Sequence, residues 1–379
     1  MGLNSAATVA DYRALARKRL PRFLFDYVDG AAGEEVTAAR NRDDLSAVRL
    51  RQRVMIDVDT ISTSTDLFGE SLAMPVVLGP VGLAGLFARR GEVQAASAAT
   101  SVGIPFCLSS LGICPLAEVK LKTGRSPWFQ LYMIRDRAFM RDLLTSAWEC
   151  GARVLLFTVD VPVSGIRHRD RRSGLTGTMY RQAAQVALRP HWAWDVGLRG
   201  QPLLFGSIAP ALPGARNLGD FWGWLGRNFD GSVTWEDIDF VRRHWPGTIV
   251  VKGVLDADDA RAALASGADG VIVSNHGGRQ LDGVRSSISA LPAVADAVAG
   301  AAPVLVDGGI YSGIDIVRAL ASGAEACLLG RAWAYALAAG GQKGIDQFLT
   351  DLQRELVNTL ALTGCRDIRA VSAELLDAD

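Results

Sequence analysis

Several features that would mark other protein classes are missing from this sequence. It has no uncharged apolar stretch approaching the ~18 residues of a membrane-crossing helix, so none is expected. Forty basic residues stand against 40 acidic ones, which leaves no surplus charge to hold nucleic acid or to form an acidic tail. The five cysteines (Cys107, Cys114, Cys150, Cys327 and Cys365) include no C-x-x-C pair and are odd in number. A cysteine metal site and a disulfide framework are therefore not expected, and the thiols read as reduced in a cytoplasmic protein. The opening stretch, MGLNSAATVADYRALARKRL, has no apolar signal-peptide core. No low-complexity linker interrupts the chain, so residues 1–379 are read as one domain.

What is present is a large apolar fraction, 49%, enough for a sizeable core. It is distributed as eight short runs: MPVVLG (74–79), PFCL (105–108), WFQLY (128–132), VLLFTV (154–159), TIVVK (248–252), GVIVS (270–274), PVLV (303–306) and ACLLG (326–330). Each is near-continuously apolar rather than alternating, as in parallel strands covered on both faces. Amphipathic segments such as RDRAFMRDLLTSAWECGA separate them. One phrase recurs, as ALASGADGVIVS from Ala263 and ALASGAEACLLG from Ala319. In both, Gly after Ser ends a helix and releases the chain into a strand. Ser312 with Asp315 reads as a capping box. Strands alternating with helices predict an α/β fold, a (β/α)8 TIM barrel, with an open doubly wound sheet as the competitor. Residues 1–70 read as a helical N-terminal extension whose apolar face is Tyr12, Leu15, Leu20, Phe23 and Phe25. After the fourth strand the connection far exceeds the usual ~2–6 residues. This insert, 165–246, is rich in arginine (Arg167, Arg169, Arg171, Arg172, Arg181, Arg189) and tryptophan (Trp192, Trp194, Trp222, Trp224, Trp235).

Barrel chemistry sits at the C-terminal ends of the strands. Just past each run come Pro80-Val81-Gly82, Ser109, Gln130 with Tyr132, Thr158 with Asp160, Lys252, Ser274 with His276 and Arg279, Asp307-Gly308-Gly309, and Gly330-Arg331. Scattered surface residues would not line up at one end in this way. Asp307-Gly308-Gly309 and Gly330-Arg331 follow the last two strands, where barrels often bind phosphate. In SNHGGRQLDG (274–283), two glycines let His276 and Arg279 turn into one pocket. That pairs a base active near neutral pH with a guanidinium that grips a carboxylate by two bonds. Asp160 is placed to orient the histidine. The bland alternatives are a packed histidine, a surface arginine and a Lys252 that snorkels at the rim.

The run SNHGGRQLDG, with WFQLY, FTVD, VVKGV and VDGGI, resembles the FMN-dependent L-2-hydroxyacid oxidase/dehydrogenase family over nearly the whole chain. DYRALARKRLPRFLFDYVDGAAGEE, ARRGEVQAA and HWAWDVGLRG resemble its bacterial quinone-linked L-lactate dehydrogenases. The resemblance implies FMN over the strand ends, approached by Pro80, Val81 and Gly82, with Ser109, Gln130, Thr158 and Ser274 around the ring. It implies Lys252 at the pyrimidine side and Asp307, Gly308, Gly309, Gly330 and Arg331 along the ribityl chain and phosphate. Arg167, Arg279, Tyr27 and Tyr132 would hold a small 2-hydroxy acid, with His276 as base beside Asp160. The chain departs from the family at Tyr311, where an arginine usually reaches the phosphate.

Gly82 stands where family oxidases commonly carry alanine, which favours a dehydrogenase over an oxygen-using, peroxide-producing oxidase. Leu111 suits a small substrate group, hence L-lactate, with L-mandelate as the alternative. The insert suits both docking on the cytoplasmic face of an anionic inner membrane, where a quinone would take the electrons, and a lid packed on the barrel. The resemblance further implies a homo-oligomer.

Overall fold

A computed structural model describes residues 2–175, 179–215 and 218–377. The eight apolar runs form strands β1 Val76–Leu78, β2 Cys107–Ser109, β3 Trp128–Tyr132, β4 Val154–Thr158, β5 Thr248–Val254, β6 Gly270–Val273, β7 Val304–Asp307 and β8 Ala326–Leu329. From β2 to β8 each pairs in parallel with its neighbour in sequence, and β8 returns to pair with β1. A parallel bridge from Leu78 to Phe106 completes the ring beside β2. The sheet is closed, so the open doubly wound alternative is set aside.

Closure divides the apolar side chains into two sets. Val77, Cys107, Trp128, Val154, Leu156, Val250, Ile272, Leu305, Ala326 and Leu328 form one cluster, the packed barrel interior. The remaining core lies between strands and helices. Leu67, Phe68 and Leu72 join the interior cluster from a hairpin, Thr65–Leu67 with Glu70–Leu72, and Phe68 meets Trp128 edge-on at 5.8 Å. This hairpin caps one end of the barrel and leaves the C-terminal ends of the strands for the site.

The hairpin corrects the reading of 1–70 as helical. Helices α1 Val9–Arg19, α2 Arg22–Asp29 and α3 Val36–Ala47 account for the first part only. Thr8 starts α1 with a reciprocal cap, its hydroxyl accepting from Asp11 N while Asp11 accepts from Thr8 N. Tyr12, Leu20, Phe23 and Phe25 are buried and Leu15 is half-buried. The recurrent phrase behaves alike twice, with Gly267 and Gly323 at positive φ between helix and strand. The capping box at Ser312 is half made. Ser312 accepts from Asp315 N, but the Asp315 carboxylate accepts from Tyr311 N instead of returning to Ser312.

Residues 165–246 contain short helices, the last of which, Asp237–His244, leads into β5 through the buried Trp245. Trp192 donates to Leu86 O at 2.7 Å, and Trp224 packs edge-on against Phe139. Trp235 is also packed against the core. Trp194 is exposed, together with Tyr180, Leu188 and Leu198. The Trp222 side chain lies outside those described. Arg171 and Arg172 are exposed, Arg181 donates to Arg172 O and Arg189 to Leu20 O. Among the described residues no helix is long and apolar enough to cross a membrane.

Candidate active site

The strand ends and the extension enclose one cavity. Its wall includes Tyr27, Pro80, Val81, Gly82, Tyr132, Thr158, Arg167, Lys252, His276, Arg279, Asp307, Gly308, Gly309, Gly330 and Arg331. Four further residues picked from the sequence, Ser109, Gln130, Ser274 and Asp160, stand directly behind that wall, bonded to it.

Strand register explains the brace. Ser109 is paired with Gln130 across β2 and β3, so the Ser109 hydroxyl donates to Gln130 Oε1 at 2.9 Å, and Gln130 Nε2 donates to Thr158 Oγ1 at 3.1 Å. Thr158 is paired with Lys252. Lys252 Nζ donates to Ser274 Oγ at 2.7 Å and pairs with Asp307 Oδ2 at 2.7 Å. Burial opposes the charge on Lys252, but Asp307 and Asp160 outweigh it and hold its pKa above the ordinary lysine value. The site thus keeps a desolvated cation that snorkelling would have placed in water.

His276 sits at φ 58°, followed by Gly277 and Gly278 also at positive φ. A histidine in the left-handed region is strained, and the turn holds it there through Ser274 Oγ, which accepts from His276 N, and Asn275, which accepts from Gly278 N. The turn aims the ring back over β4. Nδ1 lies 3.0 and 3.2 Å from the two oxygens of Asp160, which leaves Nε2 for a substrate. Burial would raise the Asp160 pKa, yet its contact with His276 keeps it below the ordinary carboxylate value. Tyr132 lies parallel to the imidazole at 6.4 Å.

Arg279 reaches the same space, its guanidinium 4.8 Å from the Tyr27 ring centre and donating to Tyr27 O and Gly30 O. These partners are neutral. Burial and the neighbouring Arg167 pull the Arg279 pKa down to about 10, the signature of two cations sharing a dry pocket. Arg167 is partly offset by Asp170 at 2.7 Å. Arg331 lines the same cavity. Its guanidinium donates to Val28 O, Gly30 O and Gly277 O, so it fastens the extension to the histidine turn and offers charge to the cavity more than free donors.

Sequence reasoning missed Gln280, Phe229 and Asn41. Gln280 donates to Asp160 O and Val163 O, clasping the loop after β4, and its place beside Arg279 was an available signal. Phe229 packs edge-on against Tyr132 at 5.6 Å from within the insert. Asn41 exchanges two amide hydrogen bonds with Asn275 at 2.8 Å each. Nothing local in the sequence marks either of these two. Among the described residues no group of His, Cys, Asp and Glu is arranged to hold a metal.

The far end of the cavity fits FMN. Asp307 Oδ1 is buried without a partner, an acceptor suited to a ribityl hydroxyl. Gly308 and Gly309 carry positive φ, and a side chain at Gly308 would strike Ser287. Gly330 caps the helix Arg331–Gly340 with no side-chain cap and has open space where a Cβ would stand. Unpaired helix-start amides beside a glycine turn suit a phosphate.

Comparison with known proteins agrees with this chemistry. L-lactate dehydrogenase of Caulobacter vibrioides is 54% identical over 372 residues, covering 98% of this chain and 97% of that protein. L-lactate dehydrogenase of Alcaligenes faecalis is 53% identical, with 97% of each chain covered. Among solved structures, the monotopic membrane protein (S)-mandelate dehydrogenase superposes with a TM-score of 0.92 at 37% identity, over 99% of this chain and 100% of that one. A mandelate oxidase superposes at 0.84 with 36% identity, over 99% of each chain. The sequence profile of the FMN-dependent dehydrogenase family matches residues 16–378. A closed barrel, a histidine–aspartate pair facing an arginine pocket and a phosphate-ready glycine end therefore belong together here: the chain is a member of the FMN-dependent dehydrogenase family.

Proposed function

We propose that the chain oxidises an L-2-hydroxy acid, L-lactate in particular, to the 2-oxo acid and passes the electrons to a quinone. The observation that carries this reading is the meeting of His276, held by Asp160, with the carboxylate-free cation Arg279 in one cavity. Bound FMN supplies the acceptor for the two electrons leaving the substrate. Arg279 and Arg167 bind the substrate carboxylate, and the mutual repulsion that lowers the Arg279 pKa is relieved by that anion. Tyr27 and Tyr132 fix the hydroxyl end. His276 Nε2 accepts the proton the substrate loses, and Asp160 stabilises the imidazolium that forms. Val81 and Gly82 border the flavin, Ser109, Gln130, Thr158 and Ser274 brace its side of the wall, and Lys252 offers positive charge. Asp307, Gly308, Gly309 and Gly330 would hold the ribityl chain and phosphate, with Arg331 supplying positive charge beside them.

Leu111 and Phe229 bound the cavity with Val161 as an apolar wall, which suits the apolar substituent of a 2-hydroxy acid. The relatives at 53–54% identity carry the name L-lactate dehydrogenase. For the acceptor, the insert exposes Tyr180, Leu188, Trp194 and Leu198, side chains suited to the headgroup region of a membrane. The (S)-mandelate dehydrogenase neighbour is itself monotopic. A homo-oligomer is proposed with it, supported by the exposed Val54 and Met55.

Turnover of purified holoenzyme with a soluble quinone, on L-lactate and L-mandelate, tests the assignment. L-Lactate is expected to give the higher kcat/KM, with little peroxide in air. Preference for L-mandelate would move the substrate, and high peroxide yield would move the acceptor.

A further inference from the structure

The loop after β7 runs Asp307-Gly308-Gly309-Ile310-Tyr311, and Tyr311 stands where the family usually has an arginine for the phosphate. Tyr311 lines the main cavity. An arginine from a different part of the chain packs over its ring. The Arg42 guanidinium, on α3, sits 4.6 Å from the Tyr311 ring centre. It also donates to Gly309 O and pairs with Asp315 at 2.8 Å.

Each contact bears on the glycine loop. In a trans peptide the carbonyl and the following N–H point in opposite directions. Arg42 holds the Gly309 carbonyl on the α3 side, so the Ile310 N–H is turned the other way, where Ile310 lines the cavity. The charge is not cancelled. Asp315, 1% exposed, is shared by Arg42 and Arg318, two guanidiniums for one carboxylate. A nearby acid, Glu355, is occupied by Gly313 N, and burial raises its pKa.

Resting on the FMN reading above, we propose that Arg42 is a positioning residue for the FMN phosphate. It acts from behind Tyr311 and Gly309 in place of the arginine that position 311 lacks. Its charge reaches the phosphate through the tyrosine ring and a fixed loop peptide.

The full-length chain, freed of flavin and titrated with FMN and with riboflavin, which lacks only the phosphate, reads this directly. Arg42→Gln is expected to weaken FMN binding roughly tenfold, as for loss of a charge-assisted contact, and to leave riboflavin binding unchanged. Arg42→Lys keeps the charge without the planar fork, and should fall between. Adding Tyr311→Arg to Arg42→Gln should restore FMN affinity. FMN binding within twofold of the unaltered chain would overturn the proposal. So would equal weakening of FMN and riboflavin, the mark of a disturbed extension. Failure of the unaltered chain to bind FMN would overturn both this proposal and the cofactor reading beneath it.

Discussion

His276 illustrates how chemistry is fixed at the scale of a residue. Its position at positive φ, its backbone bond to Ser274 and the Nδ1 contact to Asp160 leave one nitrogen and one direction for proton transfer. His276→Gln should keep the flavin, since the histidine braces none of the glycine end, and lose turnover by ~10²–10⁴-fold. Single-turnover rates on holoenzyme with an unchanged visible spectrum check this. Gly82 is the second case. A Cβ there would stand 3.2 Å from the Tyr27 hydroxyl and 3.4 Å from Leu111 Cβ. Gly82→Ala should therefore displace the tyrosine by a few tenths of an ångström and raise the KM for L-lactate more than it lowers kcat. A fall confined to kcat would show that the methyl acts elsewhere. The motif SNHGGRQLDG made His276 and Arg279 legible in sequence. The backbone partners of Arg331 were not legible there, because Val28 and Gly30 lie at the end of α2, far away in the chain.

Among the elements, α1 and α2 show how the extension becomes part of the site. Asp29, at the end of α2, accepts from Arg13, from Arg169 at 2.5 Å and from Tyr335 at 2.8 Å. Arg169 in turn grips Glu35 with two nitrogens. Burial opposes the Asp29 charge, but these donors win and bring its pKa down to about 2. A folded value below the unfolded one means stability that is complete above about pH 4 and is lost as pH falls toward 2. The amount is roughly 2–3 kcal/mol. Asp29→Asn should cost about 3 kcal/mol at neutral pH, because three donors lose their carboxylate, and should flatten the acid limb of a denaturation–pH profile. An unchanged acid limb would remove Asp29 from that account. Elements with a strong local signal, the eight apolar runs and the repeated ALASGA helix ends, were readable directly. The hairpin was not. Thr65–Leu72 is too short for periodicity to register, and what makes it a strand pair is Phe68 and Leu72 finding the barrel floor.

For the whole molecule, closure of the sheet is what gathers side chains from all eight strand ends into one cavity. The strand count and the alternation with helices carried that conclusion, because a parallel strand buried on both faces advertises itself as a continuous apolar run. The insert is less legible, since its tryptophans divide between two uses: Trp192, Trp224 and Trp235 pack inward while Trp194 faces out. Replacing Leu188, Trp194 and Leu198 together by serine should reduce binding to anionic vesicles by about tenfold or more, while turnover with a soluble quinone stays unchanged. A cosedimentation assay reads the first and steady-state kinetics the second, and unchanged vesicle binding would move the membrane surface elsewhere.

The central claim, that this barrel removes two electrons from an L-2-hydroxy acid onto FMN, meets its most direct test without any second substrate. Purified holoenzyme would be mixed with L-lactate and, separately, D-lactate in the absence of oxygen, and the visible flavin absorbance followed. The account predicts rapid bleaching with the L-isomer, none with the D-isomer, and bleaching slowed by orders of magnitude in His276→Gln. An oxidised spectrum that persists with L-lactate, or equal bleaching by both isomers, would contradict it.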